Sequence, residues 1–522
     1  MKLLTLLPLA PLAVLIAAAY APYVGDYFVG GDTWAHIWTS RDVGSVLTQP
    51  IMAGSGFPET VARFYRPVSS LTYTFQYALS GLNPVAFHLG DLLIHVAAML
   101  ALAWLAIALG MRPWAAAVGA GVAALHPAMA SVVPAAPRRH DSLVTLGLCV
   151  GLSLVVWYVG QPRVPGSSRA TLAVLLSSAA LAFAEMAKEI GFVGVLLVLP
   201  TMLAACWGAG IPVRSRWRAI GSVLVGWTTI SLVLVAWHAH VVGGVGGYGP
   251  LSPFTDLDAR VDELVQILLW PFRNYLQTYL KAWLIELAVV VFVVGLPIVL
   301  IHRRAAATLA IGWIWLILSG TFQLMSESTA PWQTYVTIAA FGLMIAAVLD
   351  GASALWFGSR GRSYLVPLIR SRSTIAAARL VLCGSVLGLA VFGVAVVRDS
   401  VLLTQYPEWH AAARVAKDYL AAIRPCVEAA PNGEQVVLAD WPLNVDDTSD
   451  EYRLTMAGVF APYSIAPAVY LTMDRPGLSV QAQKSEISVP PTNRGITATC
   501  SDAGGVWLVD TVYDPPLQQP HH

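Results

Sequence analysis

Charge is what this chain has least of. Of its 522 residues 12% are Asp, Glu, Lys or Arg and 57% are hydrophobic; a soluble protein carries about 25% charge. The 31 basic and 30 acidic side chains leave a net charge of +1, which gives a nucleic-acid partner no electrostatic support. The scarcity fits a bilayer as solvent, because each charged side chain at its centre costs roughly 2.5–3.5 kcal/mol. Cysteine is scarce too. The five present form no CxxC and no Cys/His metal spacing, which excludes the usual structural zinc sites. Cys149, Cys206 and Cys383 fall in apolar segments and read as packing residues. Cys426 and Cys500 lie in a polar C-terminal stretch; they form a disulfide if that stretch meets an oxidising compartment and are two separate thiols if it does not. Neither internal repeats nor low-complexity tracts occur.

What is abundant is long apolar runs. Those of roughly 17–25 residues mark membrane spans, and eleven are expected: 4–22, 86–109, 114–133, 142–160, 170–187, 189–207, 219–240, 282–301, 306–324, 333–356 and 377–397. The first resembles a signal peptide, but Pro22 after Ala19-Tyr20-Ala21 disfavours cleavage, so it reads as a retained anchor. With the N-terminus in the cytoplasm, the inside loops collect Arg112; Arg163 and Arg169; Arg214, Arg216 and Arg218; Arg303 and Arg304; and Arg360, Arg362, Arg370 and Arg372, as the positive-inside bias requires. The segments 23–85, 241–281 and 398–522 then face outward. The first is long and contains amphipathic stretches such as 68–80, expected to form interfacial helices. Residues 241–253, rich in glycine, read as a flexible segment, equally a gate above a cavity or a plain linker; 256–270 reads as another interfacial helix. From about 401 to 522 the chain turns polar. Residues 408–424 read as an amphipathic helix, and 434–440 and 505–510 as buried strands ended by acids. The expected fold is a polytopic α-helical membrane protein of about eleven spans over 1–400, with a small extracytoplasmic α/β domain over 401–522.

Under this topology the polar residues of the apolar part gather on its outer side. They are Asp26, Asp32 and His36; Tyr65 and Arg66; His88, Asp91 and His95; His126; Arg138, Arg139 and Asp141; Glu185, Lys188 and Glu189; and Arg273. His88, Asp91 and His95 are spaced i, i+3 and i+7, so they share a helix face that must point into the bundle. That face is either part of a site or a polar network that only fixes packing. Arg138, Arg139 and Asp141 read equally as a loop ion pair. Asp32 precedes Thr33 at a helix start, where it could merely cap the helix.

These residues resemble the GT-C superfamily of polytopic glycosyltransferases that use polyprenyl-phosphate-linked sugars, in particular the membrane parts of the transmembrane-and-TPR O-mannosyltransferases and their bacterial relatives. Four stretches carry the resemblance: Phe64-Tyr-Arg-Pro-Val-Ser-Ser-Leu-Thr72, Gly81 to His95, His126-Pro127 followed by Arg139-x-Asp141, and Ala187-Lys188-Glu189. They cover roughly residues 20–200. The resemblance implies a catalytic acid in the first outer loop, which is Asp32; Gly31 stands where the family often has a second Asp. Ser131 replaces a frequent Glu, Asp91 replaces a usual Asn, and TPR repeats are lacking, so acceptor recognition does not carry over.

The chemistry implied is simple. A polyprenyl phosphate leaves without protonation, so one carboxylate suffices, whereas glycosidases need two. Asp32 would take the proton of an acceptor hydroxyl on a protein or glycan, and the anomeric centre would invert. Lys188, Arg139 and Arg138, with Arg66 and Arg273 behind them, would meet the departing phosphate. Asp26, His36, Tyr65, His88, Asp91, His126, Asp141 and Glu189 would line the cavity. No cofactor is expected; a divalent metal on Asp26, Asp32 and Asp91 is the alternative. The rival function is a transporter or flippase for a lipid-linked or small polar substrate, since buried His and Asp suit proton relays. The crowding of charge to one side of the bilayer, rather than its midplane, argues against it.

Overall fold

The computed structural model describes residues 9–53, 55, 62–160, 167–244, 247–248, 257–270, 302–325, 330–357, 372–403, 406–445, 457–483, 486–490, 493 and 495–514. Its first half is helical: α1 (Ala10–Tyr20), α2 (Thr33–Thr39), α3 (Val43–Thr48), α4 (Pro67–Ser80), α5 (Pro84–Ala108), α6 (Pro113–Ala124), α7 (Arg139–Gly160), α8 (Ser167–Ala187), α9 (Val193–Gly208), α10 (Trp217–Val242) and α11 (Leu257–Leu268). After these come α12 (Arg303–Leu324), α13 (Tyr335–Phe357) and α14 (Arg372–Asp399). Among the described residues seven helices are long and apolar enough to cross a bilayer, and Ala10–Tyr23 and Pro113–Ala124 are shorter apolar ones. The protein is an integral membrane protein. The expected span 282–301 lies outside the described residues.

The helices sort their faces as a lipid-solvated bundle must. On α5, Val85, Leu89 and Leu93 are exposed while His88, Asp91 and His95 are buried, because hydrocarbon accepts the leucines and rejects the imidazoles and the carboxyl. Small residues set the closest crossing: a Cβ added at Gly119 of α6 would sit 2.3 Å from the carbonyl oxygen of Gly342 on α13, so the two backbones meet only because neither carries a side chain there. Helix α7 packs against α5, α8 and α9, and its N-terminal end carries Arg139, His140 and Asp141.

The C-terminal region carries α15 (Pro407–Ala429), β3 (Gln435–Leu438), β4 (Trp441–Val445), β5 (Ala457–Gly458), α16 (Pro462–Met473), β6 (Ser479–Ala482), β7 (Glu486–Val489), β8 (Gly495–Asp502) and β9 (Val506–Asp514). Strands run in the orders β6-β3-β9-β8 and β5-β4-β7. Strand β3 pairs parallel with both β6 and β9, and β8–β9 is an antiparallel hairpin. Helix α15 buries Trp409, Ala412, Ala416, Tyr419 and Ile423, the 3–4 spacing of one apolar stripe. Cys426 and Cys500 form a disulfide with a Cα separation of 5.5 Å, joining α15 to β8. Two short strands, β1 (Ala62–Arg63) and β2 (Gly247–Tyr248), pair antiparallel and tie the first loop to the glycine-rich one.

The C-terminal region docks on the first loop. Gly30 N–H donates to the Gly458 carbonyl at 2.9 Å and Ala461 N–H to the Gly31 carbonyl at 3.0 Å. The Ala35 N–H reaches Ser464 Oγ at 3.3 Å. His410 of α15 pairs with Asp26 at 2.8 Å and stacks on Tyr23.

Candidate active site

Asp32 opens α2 but does not cap it. Its side chain accepts no hydrogen bond from the first turn, so the capping role that its position allows is not the one it has. The preceding turn is held from several sides. Gly30 adopts φ +94°, and a Cβ there would touch the Pro137 ring at 2.9 Å. Thr33 Oγ1 donates to the Val29 carbonyl at 2.6 Å. The Asp32 carboxylate turns instead to the C-terminal region, where the Tyr463 hydroxyl donates to Oδ1. Burial pushes this carboxyl above the ordinary aspartate range, against the Tyr463 hydrogen bond and the positive fields of Arg138 and Arg66.

Beside it runs a chain of ionic contacts from three places in the sequence. Arg66, just before α4, grips Glu189: Nε lies 3.1 and 3.0 Å from the two carboxylate oxygens and an Nη 2.7 Å from one of them. The other Nη lies 3.5 Å from His140 Nε2. His140 Nε2 is 3.2 Å from Asp141, whose other oxygen accepts from Lys188 Nζ at 2.6 Å. The hairpin that presents Lys188 and Glu189 is very tight: a Cβ at Gly191 would be 2.5 Å from the Ala184 backbone. With His140 neutral the chain sums to zero charge, so its desolvation is offset by pairing within the cluster.

A second, deeper pair lies next to it. Arg139 Nε is 2.8 Å from Asp91, with the two side chains 0% and 3% exposed. Arg139 also donates to Thr72 at 3.2 Å and to Gln76, and its guanidinium lies over the Tyr73 ring at 4.1 Å. The guanidinium has no exposed surface, and its second Nη has no hydrogen-bond partner among the described residues. Asp91, 4% exposed over the whole residue, is part of this network. His95 meets the Tyr335 hydroxyl at 2.6 Å, and His88 the Tyr27 carbonyl at 3.2 Å. His126 caps the turn that follows it and reaches the Leu268 carbonyl at 3.2 Å. Asp26 is paired with His410 at the docking surface. Tyr65 braces the first loop, donating to Leu47 O at 2.8 Å and accepting from Trp237 at 2.9 Å. Arg273 lies outside the described residues.

Arg138 follows a different course from its neighbour. It donates to the Ser131 carbonyl and lies over the Trp332 ring at 4.0 Å. His36 is buried and stacks on Tyr73 at 5.4 Å. Burial, with the positive fields of Arg66 and Arg139 adding to it, drives His36 well below the ordinary imidazole range, so it stands neutral. Arg66 also lines a cavity of about 500 Å³ with Trp38, Arg41, Asp42, Gln49 and Ser70.

The carboxylates of this face sort by partner. Asp26, Asp91, Asp141 and Glu189 each have an Arg, Lys or His nitrogen within 2.6–2.8 Å. Glu185 is held by the Ser231 hydroxyl but is 1% exposed. Asp32 alone among these six is both hydroxyl-bound and partly exposed. Asp26, Asp32 and Asp91 have three separate partners, and among the described residues no three His, Cys, Asp or Glu gather as metal ligands. His140, Tyr463 and Gln76 are participants that the sequence did not single out.

No protein-family model and no curated protein matches the chain. Among solved structures it is similar to ArnT from Cupriavidus metallidurans in the apo state, at 17% identity and a TM-score of 0.45 over 82% of this chain and 81% of that one. The same protein bound to undecaprenyl phosphate matches at 15% identity and TM-score 0.43, covering 93% and 92%. The archaeal oligosaccharyltransferase AglB from Archaeoglobus fulgidus, in complex with an inhibitory peptide and a dolichol-phosphate, matches at 10% identity and TM-score 0.47, covering 92% of this chain and 64% of that one.

Proposed function

We propose that the protein is an inverting glycosyltransferase of the GT-C kind, moving a sugar from a polyprenyl-phosphate donor to an acceptor hydroxyl on a protein or glycan. The observation that carries this is Asp32: a partly exposed carboxylate, freed from capping, bound by a neutral hydroxyl and flanked by the fields of Arg66 and Arg138. A carboxylate raised above its ordinary range is a better base at neutral pH than an ion-paired one. In the reaction Asp32 takes the acceptor proton as the oxygen attacks the anomeric carbon. The carbon–phosphate-oxygen bond breaks on the opposite face, and the phosphate leaves as an anion. Arg138, Arg66 and the Lys188 ammonium are the groups that would draw it. No step requires a metal.

The orientation belongs to the same reading. The Cys426–Cys500 disulfide suits an oxidising compartment, and the arginine-rich short loops suit the cytoplasm. Both favour a cytoplasmic N-terminus with the site and the C-terminal region, residues 401–522, outside. The test is transfer by purified protein in lipid nanodiscs, with synthetic polyprenyl-phosphate monosaccharides and peptide or glycan acceptors. Asp32→Asn should lower the rate by about 10²–10⁴-fold, the usual worth of a general base, with folding intact. Full activity of Asp32→Asn would remove the mechanism, and substrate movement across sealed vesicles without a new covalent bond would favour a transporter.

A further inference from the structure

Position 31 lies against the C-terminal region. A Cβ on Gly31 would lie 3.4 Å from Ala461 N and 3.6 Å from the Phe460 carbonyl carbon, and the main chains are bonded there. Two residues further on, α16 sends Tyr463 back to Asp32, 431 positions away in sequence. The Tyr463 ring packs against Ala35, Ile51, Met52 and Phe64 of the first loop, and Ser464 next to it receives the Ala35 N–H. The phenol is therefore anchored by its ring and by its neighbour. Only Oδ1 of Asp32 accepts a hydrogen bond among the described residues.

We propose that Tyr463 is a positioning residue for Asp32: carried in by the C-terminal region, it clamps one carboxylate oxygen so that the other is presented to the acceptor hydroxyl. The inference rests on the reading of Asp32 as the base. It makes the C-terminal region a working part of the site, since the membrane helices alone supply no hydrogen-bond donor to that carboxylate among the described residues. The groups that face Asp32 are Tyr463 on α16, Arg138 before α7, Arg66 before α4 and Tyr73 on α4. Of these, the two arginines and the Tyr463 hydrogen bond favour the ionised form.

The experiment reads Asp32 directly. Infrared spectra of the full chain in nanodiscs, taken as the difference between the protein and its Asp32→Asn variant, isolate the protonated-carboxyl band, and its pH titration gives the Asp32 midpoint. Loss of a hydrogen bond to the charged form should raise that midpoint by about one unit in Tyr463→Phe. Ser464→Ala, which weakens the same docking surface without touching Asp32, should leave it in place. An unmoved midpoint in Tyr463→Phe, or an equal shift in Ser464→Ala, overturns the inference. If Asp32→Asn keeps full transfer activity, the base role fails and takes the proposal with it. An inactive Asp32→Asn together with an unmoved Tyr463→Phe midpoint refutes the role of Tyr463 alone.

Discussion

The Asp91–Arg139 pair gives the sharpest test of how this bundle tolerates its charges. Its two side chains are 3% and 0% exposed, with nitrogen and oxygen 2.8 Å apart. Replacing Asp91 by Leu leaves a buried guanidinium without its counter-charge; replacing Arg139 by Met strands a buried carboxylate. Each change should cost about 3–5 kcal/mol. The double variant removes both charges, and an apolar pair of similar volume is often neutral or better. It still forfeits the contact of Arg139 with the Tyr73 ring, worth about 2 kcal/mol when desolvated, and a hydrogen bond to Gln76 worth about 1 kcal/mol. The double should therefore lie about 0–3 kcal/mol below the parent, while the two singles sum to about 6–10. Reversible unfolding in mixed micelles measures all three. Single costs that simply add would refute the reasoning. So would a folded double variant whose affinity for a short-chain polyprenyl phosphate falls more than about tenfold, or 1.4 kcal/mol, because Arg139 would then be a donor ligand.

Asp32→Asn should be no less stable than the parent at neutral pH. The folded-state pKa of Asp32 is raised, so its favourable contribution is complete below the ordinary carboxylate value and is lost as pH rises through the folded one. Melting midpoints of the two proteins should converge in acid and diverge above it, with the variant higher, and transfer activity should fail on acidification at a pH above the ordinary aspartate range. A parent more stable than the variant at pH 7 would contradict this. Reducing Cys426–Cys500, which closes a sequence separation of 74 residues, should cost about 4.5 kcal/mol by the loop-entropy relation; unchanged denaturation of the reduced protein would tell against it. Gly119→Ala should lower the melting midpoint, because the new methyl meets the Gly342 carbonyl at 2.3 Å and overpacking costs about 1–3 kcal/mol; a neutral result would mean that α6 and α13 separate freely.

Much of the bundle was legible because lipid is an unforgiving solvent. The spacing of His88, Asp91 and His95 could only mean an inward face, and all three are buried. The amphipathic stretches at 68–80, 256–270 and 408–424 correspond to α4, α11 and α15, where a 3.6-residue period is its own signature. The strands expected at 434–440 and 505–510 are β3 and β9. Partners were not legible. His95 meets Tyr335, 240 residues on, and no periodicity encodes that. The acid at position 91 looked like a departure from the family it resembles, and its reason is the arginine beside it. The approach of Tyr463 to Asp32 depends on a docking surface whose hydrogen bonds are main-chain ones at Gly30, Gly31, Gly458 and Ala461, groups that every residue carries.

Arg138 and Arg139 show where reading by adjacency stops. Side by side, they looked interchangeable as phosphate ligands. Successive residues at a helix start project about 100° apart, so one guanidinium turns inward to Asp91 and the other lies across Trp332 and Ser131. Only the second is among the charges felt by Asp32. The same division runs through the whole face. Charges that would be costly to bury are cancelled in Asp91–Arg139 and in the chain from Glu189 to Lys188, and these pairs lock α4, α5, α7 and the α8–α9 hairpin together. Asp32 is left out of that cancellation. A carboxylate held by a hydroxyl within a positive field has its charged form favoured by those groups and is too weakly held to be a structural counter-ion. That balance is what the proposed reaction requires of its base, and none of the ion-paired acids on this face has it.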